Sequence, residues 1–356
     1  MSDRIRTSKI SRRSFNKILL GSAFTTLATP AVVRSQERSI VYATWGGTQQ
    51  ERQRIAFFDG FEKETGIKVI DVPGTDQAKL TAMVKNDAVE WDLMDSIPGW
   101  VAYGAKHGFL EEIDYNGIDY KNVASHSKLT HGFGLSTNAK VLAFNKQMLA
   151  GKAPTSFRDF WDLEGFETRR AMYDGPRYNL ESALYAAGVA IDSIFPMDLD
   201  LAFQSLSKVK PAINVWFKQW PQVPTLVASG EIGMTLTGNQ ELSVLMRENP
   251  EAPVDFVWDG GVITTDFVTI PKGSARKAEA QLLLQWMAEP NRQAEFCNLT
   301  AKGPVNPAAL PKLDPAMERF IPTKYAEAGK LTVVDGDWYA DNLDAANERW
   351  LNWKMT

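Results

Sequence analysis

Residues 39–72 read SIVYATWGGTQQERQRIAFFDGFEKETGIKVIDV, and this stretch decides the fold class. The β-branched and aromatic residues in 39–43 predict a strand. Residues 48–65 place apolar side chains at helical spacing, Gly66 is suited to a left-handed helix stop, and residues 67–72 return to the strand pattern. The stretch therefore predicts a strand–helix–strand unit.

The same alternation continues along the chain. The composition pattern predicts further strands at 92–94, 141–144, 170–173, 232–236 and 255–258. It predicts helices at 75–87, 100–107, 156–161, 180–189, 199–209, 225–229, 278–287 and 337–353. Strands that alternate with helices indicate an α/β protein, with mostly parallel sheets flanked by helices on both faces.

The N-terminal region has the pattern of a twin-arginine export signal. Arg12 and Arg13 lie in a basic segment, and the moderately apolar run 18–33 follows them. This run is shorter than the roughly 20 residues that cross a bilayer, which argues against a membrane anchor; an amphipathic N-terminal helix is the other alternative. We predict a signal peptide over residues 1–35, cleaved after Ala31 or Ser35, with the twin-arginine translocase as a partner during export.

The charge balance excludes some classes of partner. The 356-residue chain has 39 Lys or Arg and 43 Asp or Glu residues. Residues 1–35 hold seven of the basic residues and one of the acidic residues, so the rest of the chain keeps 32 basic and 42 acidic residues. An acidic chain without a basic cluster disfavours binding to nucleic acid or to anionic membranes. The remaining length of about 320 residues predicts two domains, each with its own core.

Cys297 is the only cysteine, so the chain forms no intrachain disulfide and offers no lipidation cysteine near the signal. Its helical surroundings predict a buried, unreactive side chain. An exported protein without a covalent anchor stays with its cell only if an outer membrane retains it. We therefore predict a monomer in the periplasm.

Five short motifs follow one another along the chain. They are FEKETGIKV (61–69), WDL (91–93), LAFNK (142–146), PTSF (154–157) and LVASGEI (226–232). In this order and spacing, over nearly the whole length after the signal, the chain resembles the extracellular solute-binding proteins of ABC importers. Within them it looks most like the spermidine/putrescine-type (polyamine/opine) group.

This resemblance implies the two-lobed fold of type II periplasmic binding proteins, in which crossing strands join two α/β lobes and the ligand lies in the cleft. Lobe 1 would hold residues 37–141 and 263–312, and lobe 2 would hold residues 142–262 and 313–356. The implied function is capture of a small amine-containing solute, polyamine-like or opine-like, by cleft closure. The implied partners are an inner-membrane ABC permease and its ATPase.

Loops that follow the strands are the expected place for ligand-binding residues. Trp45 follows the first strand, and its ring can form a flat wall or a cation–π partner for an amine; the alternative is a core tryptophan. The resemblance places a ligand-binding carboxylate at Asp266, for which the alternative is a turn-capping aspartate. Ser96 offers a hydroxyl group after the third strand.

Further candidates lie in the second half of the chain. Arg177 and Tyr178 precede a helix, and the Arg177 guanidinium suits a ligand carboxylate; the alternative is a solvated surface arginine. Asn239 supplies an amide donor and acceptor. Trp338 and Tyr339 are expected either to close the cleft or to anchor the last helix.

The polyamine resemblance is incomplete at the expected pocket. The polyamine-binding group uses several aromatic walls and acidic anchors in its pocket. In the loops where more of them would be expected, this chain has Thr48, Gly99, Tyr178, Leu236, Thr264 and Gly303. A long dication needs a carboxylate at each end to offset its desolvation, and the sequence supports only Asp266. We therefore predict a smaller or more polar amine that also carries a carboxylate or hydroxyls, such as an opine. Arg177 and Asp266 would then bind its opposite charges.

Enzyme motifs are absent from the sequence. It contains no HExxH or CxxC spacing, no Gly-x-Ser-x-Gly elbow and no glycine-rich nucleotide motif. We predict a protein that is not an enzyme and that needs neither a metal nor a cofactor. A glycosidase-like exported enzyme stays open as the alternative, because it needs only two carboxylates whose separation the sequence does not give.

Overall fold

The computed structural model describes residues 38–356. The predicted signal peptide, residues 1–35, lies outside the described residues. Within residues 38–356, no helix has the length and apolar character needed to cross a membrane.

The described residues contain eleven strands. They are β1 (Ser39–Thr44), β2 (Lys68–Pro73), β3 (Leu93–Ser96), β4 (Lys128–Leu129), β5 (Gly132–Asn145), β6 (Arg170–Tyr173), β7 (Ile213–Phe217), β8 (Met234–Gly238), β9 (Val254–Thr269), β10 (Gly303–Pro304) and β11 (Leu331–Val333).

The described residues also contain twelve α-helices. They are α1 (Gly47–Gln53), α2 (Asp59–Thr65), α3 (Gln77–Lys85), α4 (Pro98–Lys106), α5 (Asn179–Ala186), α6 (Leu199–Val209), α7 (Val223–Ala228), α8 (Asn239–Glu248), α9 (Lys277–Met287), α10 (Pro290–Thr300), α11 (Thr323–Glu327) and α12 (Gly336–Met355). Short 3-10 helices lie at Ser125–Ser127, Phe157–Phe160, Ile191–Ser193, Lys210–Ala212, Trp220–Gln222, Pro307–Lys312 and Pro315–Phe320.

The predicted strand–helix–strand unit is confirmed. β1 pairs with β2 in parallel, with Tyr42 opposite Asp71. The predicted helix 48–65 consists of α1, a π-helical turn at Arg54–Phe58 and α2 in direct succession. Gly66 ends α2 with a φ of 70°, and its N–H donates to the Glu62 carbonyl at 2.9 Å. The left-handed conformation that the sequence indicated at Gly66 is therefore present.

The strands form one sheet in the order β2-β1-β3-β9-β5-β8-β6-β7, with β4 and β10 on β5 and β11 on β9. Both ends of the sheet are parallel: β1 pairs with β2 and β3, and β6 pairs with β7 and β8. β9 pairs antiparallel with β3 and β5, and β5 pairs antiparallel with β8, whereas the short strand β11 pairs with β9 in parallel. The expected parallel α/β units are thus present, and an antiparallel pair of long strands joins them.

β5 and β9 run through both halves of the sheet. β9 pairs with β3 near its end, at Phe267–Thr269, whereas β5 pairs with β8 at Lys140–Phe144. The sequence predicted only 141–144 and 255–258 of these strands. The missed parts carry buried polar side chains, which interrupt the apolar strand pattern: Ser136, Thr137, Asn138, Lys140, Thr264, Thr265 and Asp266.

The described residues form four apolar clusters, and two of them draw on different parts of the chain. The first draws its buried members from 40–135 and 268–305, and Phe57, Phe61 and Phe296 are fully or almost fully buried in it. The second draws them from 142–236 and 339–350, and includes Phe157 and Trp350. Cys297 is buried in α10, as predicted, and burial raises the pKa of its thiol. The predicted lobe boundaries stay a prediction.

Helix α4 lies directly against α12. Gly99 in α4 permits this approach, because a Cβ at that position would lie 3.0 Å from the Cβ of Tyr339. Lys106 and Asp341 form an exposed ion pair between the same two helices. The contact places the beginning of α12 beside the loop that follows β3.

Candidate ligand-binding site

A cleft of about 850 Å³ opens beside the two long strands. Its volume lies within the usual range for a site that encloses a small molecule. The loop after β1, the middle of β5 and β9, the start of α8 and the 3-10 helix at Trp220–Gln222 contribute its walls. Trp45, Tyr178 and Asp266 line it, so three of the predicted site residues share one cavity.

Asp266 is only 9% exposed, and three protein groups donate to its carboxylate. Ser136 Oγ donates at 3.1 Å and Asn138 Nδ2 donates at 3.0 Å. Lys302 Nζ donates at 2.8 Å and forms a buried ion pair with it. The predicted cleft carboxylate is therefore already paired with a cation of the protein itself.

Lys140 brings a second buried ammonium to the cleft. Lys140 is 5% exposed, and its Nζ lies 4.3 Å from the centroid of the Trp220 ring and 5.4 Å from the centroid of the Tyr178 ring. Within residues 38–356, no carboxylate oxygen lies within 4.0 Å of this ammonium. Burial lowers the Lys140 pKa, and the more distant carboxylates of Glu241 and Asp266 offset this in part.

Trp45 offers an open aromatic face at the cleft, with 40% of the residue exposed. Its backbone N–H donates to Asp95 Oδ2 at 3.1 Å. Asp95 also accepts from Tyr42 Oη at 2.8 Å and from Gln53 Nε2 at 3.0 Å, and burial raises its pKa to about 6. This buried network fixes the backbone of Trp45 and leaves its ring free to contact a ligand.

Tyr178 stands at the junction between the cleft and a small gap beside Arg177. Its φ is 68°, a left-handed conformation that a tyrosine rarely adopts and that costs on the order of 1 kcal/mol or more. Its ring packs edge-on against Trp220, with centroids 5.9 Å apart. The strained backbone directs this ring toward the Lys140 ammonium.

Arg177 lies outside the main cleft. It lines a neighbouring cavity of about 290 Å³ together with Trp100, Tyr103 and Tyr339. Its guanidinium carbon is 5.9 Å from the centroid of the Tyr339 ring. The structure therefore does not bring Arg177 and Asp266 into one cavity as an opposed pair of charges.

Tyr339 lines this second cavity and makes a buried hydrogen bond. Its hydroxyl donates to Glu181 Oε1 at 2.7 Å. Glu181 is fully buried, its Oε2 has no hydrogen-bond partner within residues 38–356, and burial raises its pKa to about 7. Trp338 packs edge-on against Phe195 instead of lining the cleft.

The structure also places Ser96 and Asn239 away from the cleft. Ser96 is buried and its hydroxyl bonds to Thr269 Oγ1 at 3.0 Å. Asn239 is fully buried: Oδ1 accepts from the Ala139 N–H at 2.8 Å, and Nδ2 donates to the carbonyls of Ala301 and Phe320 at 2.9 and 2.8 Å. These amide bonds tie the long strand β5 to the end of α10, which is a structural role.

Lys140, Trp220, Glu241 and Lys302 are among the cleft residues that sequence reasoning missed. Lys140 is a single charge beside the apolar run 141–144, a signal that could have singled it out. Nothing in the sequence near Lys302 indicates that it reaches Asp266. Within residues 38–356, no three His, Cys, Asp or Glu side chains cluster closely enough to hold a metal ion.

The chain is similar in sequence to known proteins. Residues 56–321 match the family model of the bacterial extracellular solute-binding proteins. The gamma-aminobutyric acid-binding protein of Pseudomonas aeruginosa is 27% identical over 335 residues, which cover 92% of this chain and 94% of that protein.

Solved structures agree with this match. An ABC transporter substrate-binding protein from Bradyrhizobium japonicum USDA 110 superposes with a TM-score of 0.82 at 28% identity, covering 89% of this chain and 99% of that chain. The protein AgtB from A. tumefaciens R10, solved in complex with agropinic acid, superposes with a TM-score of 0.76 at 29% identity. This match covers 90% of this chain and 99% of AgtB.

These likenesses confirm the predicted two-lobed fold of the type II periplasmic binding proteins. They also agree with the resemblance that the five sequence motifs indicated. Since the family model matches most of its length, this chain belongs to the bacterial extracellular solute-binding proteins, as the substrate-binding component of an ABC transporter.

Proposed function

We propose that this chain captures a small solute that carries both an amine and a carboxylate, amino-acid-like or opine-like, and delivers it to its permease. The observation that carries this proposal is the Lys140 ammonium, which lines the cleft and has no carboxylate within 4.0 Å among residues 38–356. A ligand carboxylate would supply the missing counter-charge.

The physical argument rests on desolvation. A buried ammonium is costly unless it is paired, and burial lowers the pKa of Lys140 accordingly. The rings of Trp220 and Tyr178 stabilise the charge only in part, since a cation–π contact contributes about 1–2 kcal/mol. A carboxylate that enters the cleft would form a charge-assisted hydrogen bond with Nζ and offset the remaining cost.

The open ring of Trp45 is the proposed contact for the ligand amine. It is an aromatic face at the cleft, and the ammonium form of a primary amine makes a favourable cation–π contact with such a face. Two relatives support this ligand class: one is named for gamma-aminobutyric acid, which has an amine and a carboxylate, and the other was solved with agropinic acid.

Export and assembly belong to the same proposal. The twin arginines 12 and 13 support export through the twin-arginine translocase into the periplasm, where a monomer would meet the permease and its ATPase. Cell fractionation tests this location. We also propose the lobe division 37–141 with 263–312 and 142–262 with 313–356, and a protein that releases its ligand chemically unchanged.

A thermal-shift screen of the purified protein tests the ligand class. We expect gamma-aminobutyric acid, related amino acids or opines to raise the melting temperature, whereas neutral sugars do not. A ligand at a hundredfold excess over its Kd stabilises the folded state by about 2.7 kcal/mol, which a screen detects readily. Stabilisation by sugars alone, or turnover of a glycoside, would contradict the proposal.

A further inference from the structure

The carboxylate of Asp266 lies on a long central strand of the cleft, and its position suits a ligand ammonium. It lies on β9, lines the cleft, and accepts from Ser136 and Asn138 on the facing strand β5. These two donors are neutral, so they orient the carboxylate without cancelling its charge. A buried carboxylate of this kind needs a cationic partner.

Lys302 supplies that partner from within the chain. Its side chain is 7% exposed, and Nζ donates to Asp266 Oδ2 at 2.8 Å and to Gln49 Oε1 at 3.1 Å. It follows directly on the end of α10, and the ammonium lies 5.9 Å from the centroid of the buried Phe296 ring. The lysine is therefore held in place from several sides and also lines the cleft.

We infer that Lys302 is a specificity-determining residue, whose ammonium occupies the amine subsite formed by Asp266 and so excludes linear diamines from the cleft. A second ammonium at Asp266 would lie within a few ångströms of Lys302, and like charges at that distance repel strongly in a buried site. The inference rests on the proposed function, because it takes this cleft as the ligand site.

The charges around the cleft agree with this assignment. With Asp266 paired to Lys302, the Lys140 ammonium has no carboxylate within 4.0 Å among residues 38–356, and the Glu241 carboxylate, which also lines the cleft, acts on it only from a greater distance. A ligand with two amines and no carboxylate would meet Lys140 and Lys302 beside an Asp266 that is already paired, and Glu241 and Glu248 are the other carboxylates that line the cleft. A ligand with one carboxylate meets a complementary charge.

Substitution of Lys302 by Met tests the inference through a gain of binding. Methionine keeps an unbranched apolar stem and removes the ammonium, which leaves Asp266 as a buried carboxylate facing the cleft. We expect 1,4-diaminobutane to bind Lys302→Met at least about tenfold more tightly than it binds the natural chain, measured by isothermal titration and by thermal shift.

Two variants control for the origin of this gain. Lys302→Arg keeps a cation at the site and should continue to exclude the diamine. The double variant Asp266→Asn, Lys302→Met removes both charges, so it should fold without a buried uncompensated carboxylate and should not bind the diamine. Binding by either control as tight as by Lys302→Met overturns the inference.

The same titrations separate the inference from the proposed function. If the natural chain binds 1,4-diaminobutane as tightly as Lys302→Met does, or if folded Lys302→Met does not bind it, the inference is wrong. If Lys302→Met is recovered unfolded, Lys302→Gln replaces it, and the same gain is expected there. Failure of the natural chain to bind any amino-carboxylate contradicts the proposed function instead.

Discussion

Single residues decide the chemistry of this cleft through the way their charges are paired. Asp266 is neutralised by Lys302, whereas Lys140 has aromatic rings and no carboxylate within 4.0 Å among the described residues. Of these two lysines in the same cavity, Lys302 is thus the counter-ion of Asp266, and Lys140 is available to a ligand. The difference depends on a few ångströms of placement.

Glu181 gives a prediction about stability and pH. Its pKa is about 7 in the folded protein and its ordinary value is 4.5, so the folded state holds this proton more tightly than the unfolded state does. The stabilisation is therefore complete below about pH 4.5 and is lost as the pH rises to about 7. Its size is on the order of 3 kcal/mol.

Urea unfolding at pH 5 and pH 8 measures this effect. We expect the free energy of unfolding to fall between these values in the natural chain, and to fall much less in Glu181→Gln. Part of the fall should remain, because burial also raises the pKa of Asp95 to about 6. Exposed Glu112→Gln is the matched control. Equal pH dependence in the natural chain and Glu181→Gln would show that Glu181 does not carry the effect.

The sequence could predict some of the site and not the rest. Trp45 lies in the cleft because it follows the end of β1, and the strand pattern of the sequence could predict this. Asp266 lies there because it is on a strand that crosses between the two halves of the sheet, and the family resemblance could predict this position. Lys302 could not be predicted, since its partner lies 36 residues away and their meeting depends on how α10 packs. Ser96 and Asn239 also follow strands, but tertiary contacts use their polar atoms for backbone and side-chain bonds.

At the scale of elements, β5 and β9 connect the fold to the site. Their outer parts pair with neighbouring strands in the two halves of the sheet, and their buried polar middle parts line the cleft. Alternation of strands and helices could predict the parallel ends of the sheet. The length of these two strands could not be predicted, because polar ligand-facing residues remove the apolar signal.

Two glycines give a prediction at this scale. A Cβ on Gly134 in β5 would collide with the Ser127 carbonyl oxygen, whereas Gly66 has open space and only its positive φ opposes a side chain. Gly66→Ala should therefore cost about 1 kcal/mol of unfolding free energy. Gly134→Ala should cost more, about 1–3 kcal/mol, since the backbone must move. Urea unfolding of both variants checks the order, which the reverse ranking would contradict.

The whole molecule is expected to work as two lobes that close on a ligand. A ligand shifts such an equilibrium only through contacts that are better in one state than in the other. A ligand held by Lys140 and Trp45 of the proposed lobe 1 would make such contacts if it also touched Tyr178 and Trp220, which line the same cleft and belong to the proposed lobe 2. The contact between α4 and α12 lies beside the same region and would limit the motion.

Isothermal titration of gamma-aminobutyric acid, or of the amino-carboxylate selected by the thermal-shift screen, tests the central claim most directly. The natural chain and exposed Lys330→Met should bind one equivalent with equal affinity. Lys140→Met should bind at least about tenfold more weakly, because a charge-assisted hydrogen bond contributes about 1.5–3 kcal/mol. Unchanged affinity in a folded Lys140→Met variant would contradict the claim that this ammonium holds the ligand carboxylate.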